Sequence, residues 1–222
     1  MFLPSPLQSV NKYLKDPALG GFRLNTDFGL KNYLDLGRAF GFAYGTKENG
    51  AFFSHMNVMY AFALYKGGFV KEGYEVLRSI YKMCMDTEKS KIYPGIPEYF
   101  DSLGRGRYHY LTGSASWYIL TQVIQVYGVR GLEGDLLLSP KLMKEEFSEQ
   151  GIASIRCQFA ERFIEVRYHN QNALDHSEYK IKEIHLNGKP VEFERVDHSS
   201  ARIPRQVLLA QNQGVKLDCF LF

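Results

Sequence analysis

The strongest constraint on the fold is a change of period near Gly128. Upstream of it, apolar residues recur every three or four positions. Downstream, they recur every second position. The first spacing buries one face of a helix and the second buries one face of a strand. A chain that makes this switch once keeps its helices and its sheet apart. The expectation is therefore α + β in separate domains, with residues 1–130 helical and residues 131–222 forming an antiparallel β-sandwich.

The helical part can be followed segment by segment. Leu7 to Leu14 spells a short helix stopped by Asp16-Pro17. Leu30 to Phe42 is a second helix. His55 to Tyr65 is a third, with Ser54 as its cap and Gly67-Gly68 at its end. Between Phe69 and Met85, the residues Val70, Tyr74, Leu77, Tyr81 and Cys84 share one face. Lys89 to Leu111 is a long loop broken by Pro94, Gly95, Pro97, Gly104 and Gly106, and long ordered loops are often functional. Ser114 to Tyr127 is helical, with Trp117, Leu120, Ile124 and Tyr127 on one side. Four or five helices with broad apolar faces do not cover one another, so this part calls for further helices or another chain.

The second part reads in twos. Gly131 to Pro140 holds a short apolar strand, and Lys141 to Gln150 is a charged connector. Ala153, Ile155, Cys157 and Phe159 alternate with polar residues, as do Ile164, Val166 and Tyr168, and Val215, Leu217, Cys219 and Leu221. Asn187-Gly188, between Ile184/Leu186 and Val191/Phe193, is a two-residue hairpin signal.

Composition removes several function classes. The net charge of +3 is too small to argue for nucleic acid or an anionic membrane. No run reaches the roughly 18 apolar residues of a membrane span. Three widely spaced cysteines with no Cys-x-x-Cys point to a reducing compartment and away from structural zinc. Met1 to Pro6 lacks the basic start of a secretion signal, so the expected location is the cytoplasm. The four histidines after Gly128 have no metal-ligand spacing, and no metal or organic cofactor is expected.

Chemistry concentrates in two polar turns that each feed a helix. The first is Gly45-Thr-Lys-Glu-Asn-Gly50, followed by His55; the second is Thr112-Gly113-Ser114. A helix start presents free N–H groups and a partial positive charge, which suits a small anion. His55 is either a ligand of that anion or a satisfied core histidine. Thr112 and Gly113 either hold it, through a hydroxyl and a closely approaching backbone, or form a simple cap. Lys47 and Glu48 either bond sugar hydroxyls or make an exposed ion pair. Glu98 and Asp101 read as working acids or solvated loop charges, and Arg105, Arg107 and His109 as further anion contacts or surface. No glycine-lysine loop of the nucleotide-binding kind is present.

Taken in order, Gly37-Arg-Ala-Phe-Gly41, Thr46-Lys-Glu-Asn-Gly50, the spaced His55, Leu111-Thr-Gly-Ser-Ala-Ser-Trp117 and Gly134-Asp-Leu-Leu-Leu-Ser-Pro140 resemble the C-terminal part of the inverting glycoside phosphorylases of glycoside hydrolase family 94. That group includes cellobiose, chitobiose and 1,2-β-oligoglucan phosphorylases and the phosphorylase-like end of cyclic β-1,2-glucan synthase. The resemblance covers about Gly20 to Pro140. It implies the C-terminal half of an (α/α)6 barrel followed by a jelly-roll-like sandwich. It implies phosphate on His55, Thr112 and Gly113, and sugar near Lys47, Glu48 and Phe42, with inorganic phosphate as co-substrate. The family's general acid, an aspartate in an Asp-Trp-like motif, has no counterpart here. The resemblance thus implies a chain inactive alone, completed by an N-terminal half-barrel chain or a second copy. Phe42 and Tyr93-Pro-Gly95 depart from the tyrosine and glutamine of the disaccharide enzymes, which tilts the substrate toward a longer β-glucan, β-1,2-linked. The alternative is a non-catalytic carbohydrate-binding or assembly subunit.

Overall fold

The computed structural model describes residues 5–29, 35, 37, 41–93, 95–109, 112–211 and 214–222. Two compact units emerge, 1–67 with 72–119, and 68–71 with 120–222. The division falls between 119 and 120, ahead of the change of period near Gly128, because the turn of helix at 122–126 is tied into the second unit.

The first unit is mainly helical. Helix α1 (Pro6–Tyr13) starts with a reciprocal cap: the Gln8 N–H donates to the Ser5 hydroxyl, and the Ser5 N–H to the Gln8 side chain. The helix expected from Leu30 to Phe42 lies mostly outside the described residues. Strand β1 (Phe52–Phe53) runs straight into α2 (Ser54–Lys66). The cap of α2 is Phe53 and not Ser54; Ser54 is already helical, and its hydroxyl is buried with no partner.

Helix α3 (Val70–Met85) buries Val76, Leu77, Ile80 and Met83. This face is rotated from the expected stripe: Tyr81 is 55% exposed, and only Val70 and Leu77 of the five expected residues are fully buried. The reason is Gly73, where an added Cβ would sit 2.6 Å from the Tyr65 ring. The missing side chain lets α2 lie close and sets which side of α3 turns inward. A short helix α4 (Thr87–Ser90) follows, and then two strands, β2 (Tyr99–Phe100) and β3 (Gly106–Arg107). These two-residue strands are set into the expected loop, most of whose described residues lie outside any helix or strand. Helix α5 (Ser114–Thr121) passes into a π turn at Gln122–Val126, closed by the Tyr127 N–H to the Gln122 carbonyl at 2.8 Å. A π turn breaks the 3.6-residue spacing, so the expected Trp117–Tyr127 face does not form; Trp117 and Leu120 are exposed.

The second unit holds two sheets. One has the order β10-β11-β5-β4, with β4 Val129–Leu132, β5 Asp135–Leu138, β10 Glu194–Arg195 and β11 Ala201–Ile203. The other has the order β6-β7-β12-β8-β9, with β6 Ile152–Phe159, β7 Arg162–His169, β8 Ile181–Leu186, β9 Lys189–Pro190 and β12 Val215–Leu221. A short helix α6 (Arg205–Leu209) precedes β12. The pairing is not antiparallel throughout: β12 is inserted parallel to β7 and antiparallel to β8. Alternation along β7 and β12 buries Ile164, Val166, Tyr168, Val215, Leu217, Cys219 and Leu221. The Tyr179 hydroxyl donates to the Leu142 carbonyl and accepts from the Leu142 N–H, which anchors the connector after β5. All three cysteines are unbridged, and burial pushes the Cys84 thiol up to about 11. No helix among the described residues is long and apolar enough to cross a membrane.

Candidate functional site

The small sheet β1-β2-β3 brings the two polar turns together. Phe52 pairs with Phe100, Phe53 with Tyr99, and Tyr99 with Arg107. Beneath it, Phe52, Phe100 and Met83 form a closed apolar cluster. The turn from β2 to β3 is built on Asp101, which is only 7% exposed. Its carboxylate accepts from the Leu103 and Arg105 N–H groups and pairs with Arg107 at 3.0 Å. Asp101 is thus neither a working acid nor a solvated charge, and Arg107 is occupied with it.

Just before β2, the backbone at Pro97-Glu98 reaches both helix starts. The Glu98 carbonyl accepts the Ser54 N–H at 2.9 Å, and the Pro97 carbonyl accepts the Ser114 hydroxyl at 3.4 Å. The starts of α2 and α5 are therefore fixed to two neighbouring residues of the segment that leads into β2. His55 Cε1 lies 3.7 Å from where a Gly113 Cβ would stand. Trp117, one turn along α5, sets its ring edge-on to His55 at 5.4 Å. The Thr112 hydroxyl lies 2.9 Å from that of Ser114 and accepts the Ser114 N–H. His55 Nε2 is buried without a partner. The Phe53 cap contributes no side-chain acceptor to α2. A buried polar atom without a partner asks for an explanation, such as a bound ion.

The first turn is held in place by Gly45, whose φ is +87° and whose added Cβ would fall 1.7 Å from the Ser102 hydroxyl oxygen. Lys47 reaches over the Tyr108 ring at 4.0 Å and lies 5.8 Å from the Phe42 ring. A side-chain hydrogen bond to Tyr108 holds Lys47 above its ordinary value, against partial desolvation. Lys47 and Phe42 are therefore neighbours. Glu48 and His55 line one cavity of about 530 Å³, together with Arg23, Phe53, Met59 and Tyr60. Lys47, Thr112 and Gly113 are not among the described residues that line it.

Arg23 is a further residue at this cavity that no sequence motif signals. It grips Asp16 through Nε and Nη2 and donates from Nη1 to the Gly50 carbonyl at 2.9 Å. Its guanidinium stacks on Phe52 at 4.5 Å. Partial burial pushes the Asp16 carboxyl up, but the Leu19 N–H, Arg23 and the Ala18 N–H outweigh it and hold the group below the usual range. Seven residues separate the pair, so no local pattern announces it.

Residues 5–128, more than half of the chain, match the model of the glycosyl hydrolase 94 superfamily catalytic domain. The chain belongs to this family. All six residues singled out above, from Phe42 to Gly113, fall within the glycosyl hydrolase 94 match. Membership supports a carbohydrate-active function of glycoside-phosphorylase type. No curated protein matches the chain.

Proposed function

We propose that the chain carries the phosphate side of an inverting glycoside phosphorylase. The observation behind this reading is the fixing of two helix starts on Pro97-Glu98, with His55 against Gly113. In this reading the first unit is the second half of an (α/α)6 barrel and the second a jelly-roll-like sandwich. Each helix dipole contributes about 0.3–1 kcal/mol toward a bound anion, so a ring N–H of His55 and the Thr112 hydroxyl are needed to add directional bonds. Nε2 is closed off, so an oxyanion reaches it only when the imidazole turns. Phosphate held there attacks the anomeric carbon as the bond to the leaving sugar oxygen breaks. A carboxylic acid protonates that oxygen, and the linkage inverts. Lys47, Glu48 and Phe42 contact the sugar, most simply a β-1,2-linked oligoglucan.

The general acid is the part without a counterpart among these residues, and its loss typically costs about 10²–10⁴ in rate. The 222-residue chain alone is therefore expected to phosphorolyse β-glucans barely, and an added N-terminal half-barrel piece to restore turnover. The sharper test is phosphate affinity by calorimetry at fixed ionic strength. His55→Ala should weaken it about tenfold or more, which corresponds to at least about 1.4 kcal/mol, and leave sugar binding unchanged. Equal phosphate affinity in both proteins would favour the non-catalytic carbohydrate-binding subunit.

A further inference from the structure

The turn at 45–50, which carries Lys47 and Glu48, is bent against local preference. Its residues Gly45, Lys47 and Gly50 have φ of 87°, 45° and 73°. Glycine takes such values freely; Lys47 has a side chain that crowds the backbone there. Strain of this kind persists only where the surroundings over-determine it. Within the turn, the Asn49 N–H donates to the Thr46 carbonyl at 3.0 Å and the Gly45 N–H to the Asn49 carbonyl at 2.6 Å. The buried Asn49 side chain donates to the Phe42 carbonyl at 2.7 Å. The rest of the hold comes from outside. The Gly50 N–H donates to the Asn25 side-chain oxygen at 2.8 Å. Arg23 Nη1 donates to the Gly50 carbonyl at 2.9 Å and to the Ser102 hydroxyl at 3.3 Å. Ser102 is the residue packed against Gly45. One guanidinium therefore ties both ends of the turn.

We propose that Arg23 is a positioning residue for sugar binding: oriented by Asp16, it clamps the turn at Gly50 and Ser102 and so sets where Lys47 and Glu48 stand. This rests on the reading above that Lys47 and Glu48 contact the sugar. Arg23 lines the same cavity as Glu48, yet all three of its nitrogens are engaged within the protein. Its charge faces the Asp16 carboxylate at 2.8 Å. Placement is therefore its task, and ligand contact is left to the turn. The fork of Nε and Nη2 on one carboxylate fixes the plane of the guanidinium, which a lysine ammonium cannot copy. A contact that is held in place beforehand costs less to order when the ligand arrives.

The test is calorimetric titration of the 222-residue chain with a β-1,2-linked gluco-oligosaccharide and, in parallel, with phosphate, well below the melting temperature. Arg23→Lys keeps a cation beside Asp16 but loses the fork. It should weaken oligosaccharide binding about tenfold and leave phosphate affinity unchanged. Asp16→Asn should act in the same direction, and the double variant should lose no more than Arg23→Lys alone, because both act through one clamp. Leu217→Ala, destabilised far from the turn in sequence and in the other unit, should bind the oligosaccharide as the parent does. If Arg23→Lys does not fold, Ser102→Ala decides, since it removes one exposed anchor and should lose about threefold. The proposal is overturned if these variants bind the oligosaccharide as well as the parent, or if oligosaccharide and phosphate affinity fall together. A parent that binds phosphate through His55 but no oligosaccharide sinks the clamp and leaves the phosphate site standing. Loss of oligosaccharide binding in Arg23→Lys, with phosphate indifferent to His55→Ala, supports the clamp and sinks the phosphate site.

Discussion

The two units fix their geometry in opposite ways. In the sheet unit, β6, β7 and β12 run for seven or eight residues each, and burial alternates along them. In the helical unit, the sheet that aligns the candidate site consists of three strands of two residues. A two-residue strand has no period, so it is held by what packs under it and not by its own pattern. The sheet unit should therefore tolerate damage without consequence for the site, and the small sheet should not.

The largest effect tests this directly. Phe100 is 1% exposed and packs on Phe52 and Met83. Phe100→Ala should cost about 3–5 kcal/mol and should also lower phosphate affinity, because Pro97-Glu98 loses its footing. Leu217→Ala, in the buried face of β12, should cost about 2–5 kcal/mol yet leave phosphate affinity unchanged below its melting temperature. Urea denaturation combined with phosphate titration reads both quantities. An equal loss of affinity in the two variants would break the comparison.

The same contrast explains what could be read in advance. Helices α2 and α3 were legible because both exceed ten residues and are closed by glycine or charge. The Asn187-Gly188 hairpin was legible because its residues are the usual ones for that turn. The proximity of His55 to Gly113 followed from two polar turns each entering a helix. Hidden from sequence were the Asp101 turn, the grip of Arg23 on Asp16, the π turn after Thr121 and the parallel seat of β12. The seat of β12 depends on partners far along the chain and the π turn on a local distortion, while the Asp101 turn and the Arg23–Asp16 pair are side-chain contacts over two to seven residues that no apolar spacing announces. The inward side of α3 departs from the apolar stripe because Tyr74 and Tyr81 look as apolar as Ile80, and Gly73 decides between them.

A smaller effect concerns acid. Asp16 has its native carboxyl below the usual range. A depressed native value means the stabilisation is complete above the unfolded value, near pH 4, and is lost as pH falls through the native value. Asp16→Asn should therefore be less stable than the parent at pH 7 and converge with it well below pH 4. In the sheet unit, Asp135 is held down by the Arg205 N–H first and then by Arg202, so Asp135→Asn should show the same sign. If only one of the two variants converges, acid sensitivity belongs to one unit and the contrast between them sharpens.

The smallest effect lies in the turns of the sheet unit. Three hairpins turn on two residues with positive φ: Glu133 and Gly134 at 53° and 89°, Ala160 and Glu161 at 50° and 62°, Asn187 and Gly188 at 50° and 81°. The twist of the strands favours this turn, and asparagine followed by glycine is its preferred pair. Ala160-Glu161 puts two side-chain-bearing residues in the left-handed region, at about 1–2 kcal/mol each. The long β6 and β7 ladder imposes the turn regardless, which is why a strand pair with no turn signal still closes. Ala160→Asn with Glu161→Gly should relieve that strain. Glycine's greater freedom in the unfolded chain offsets part of the gain, leaving about 1 kcal/mol, read as a rise in melting temperature. The reverse exchange, Asn187→Ala with Gly188→Glu, should lower it by a similar amount. If the first exchange gives no rise, the ladder is not forcing an unfavourable turn, and the length of the strands is not what makes the sheet unit so readable.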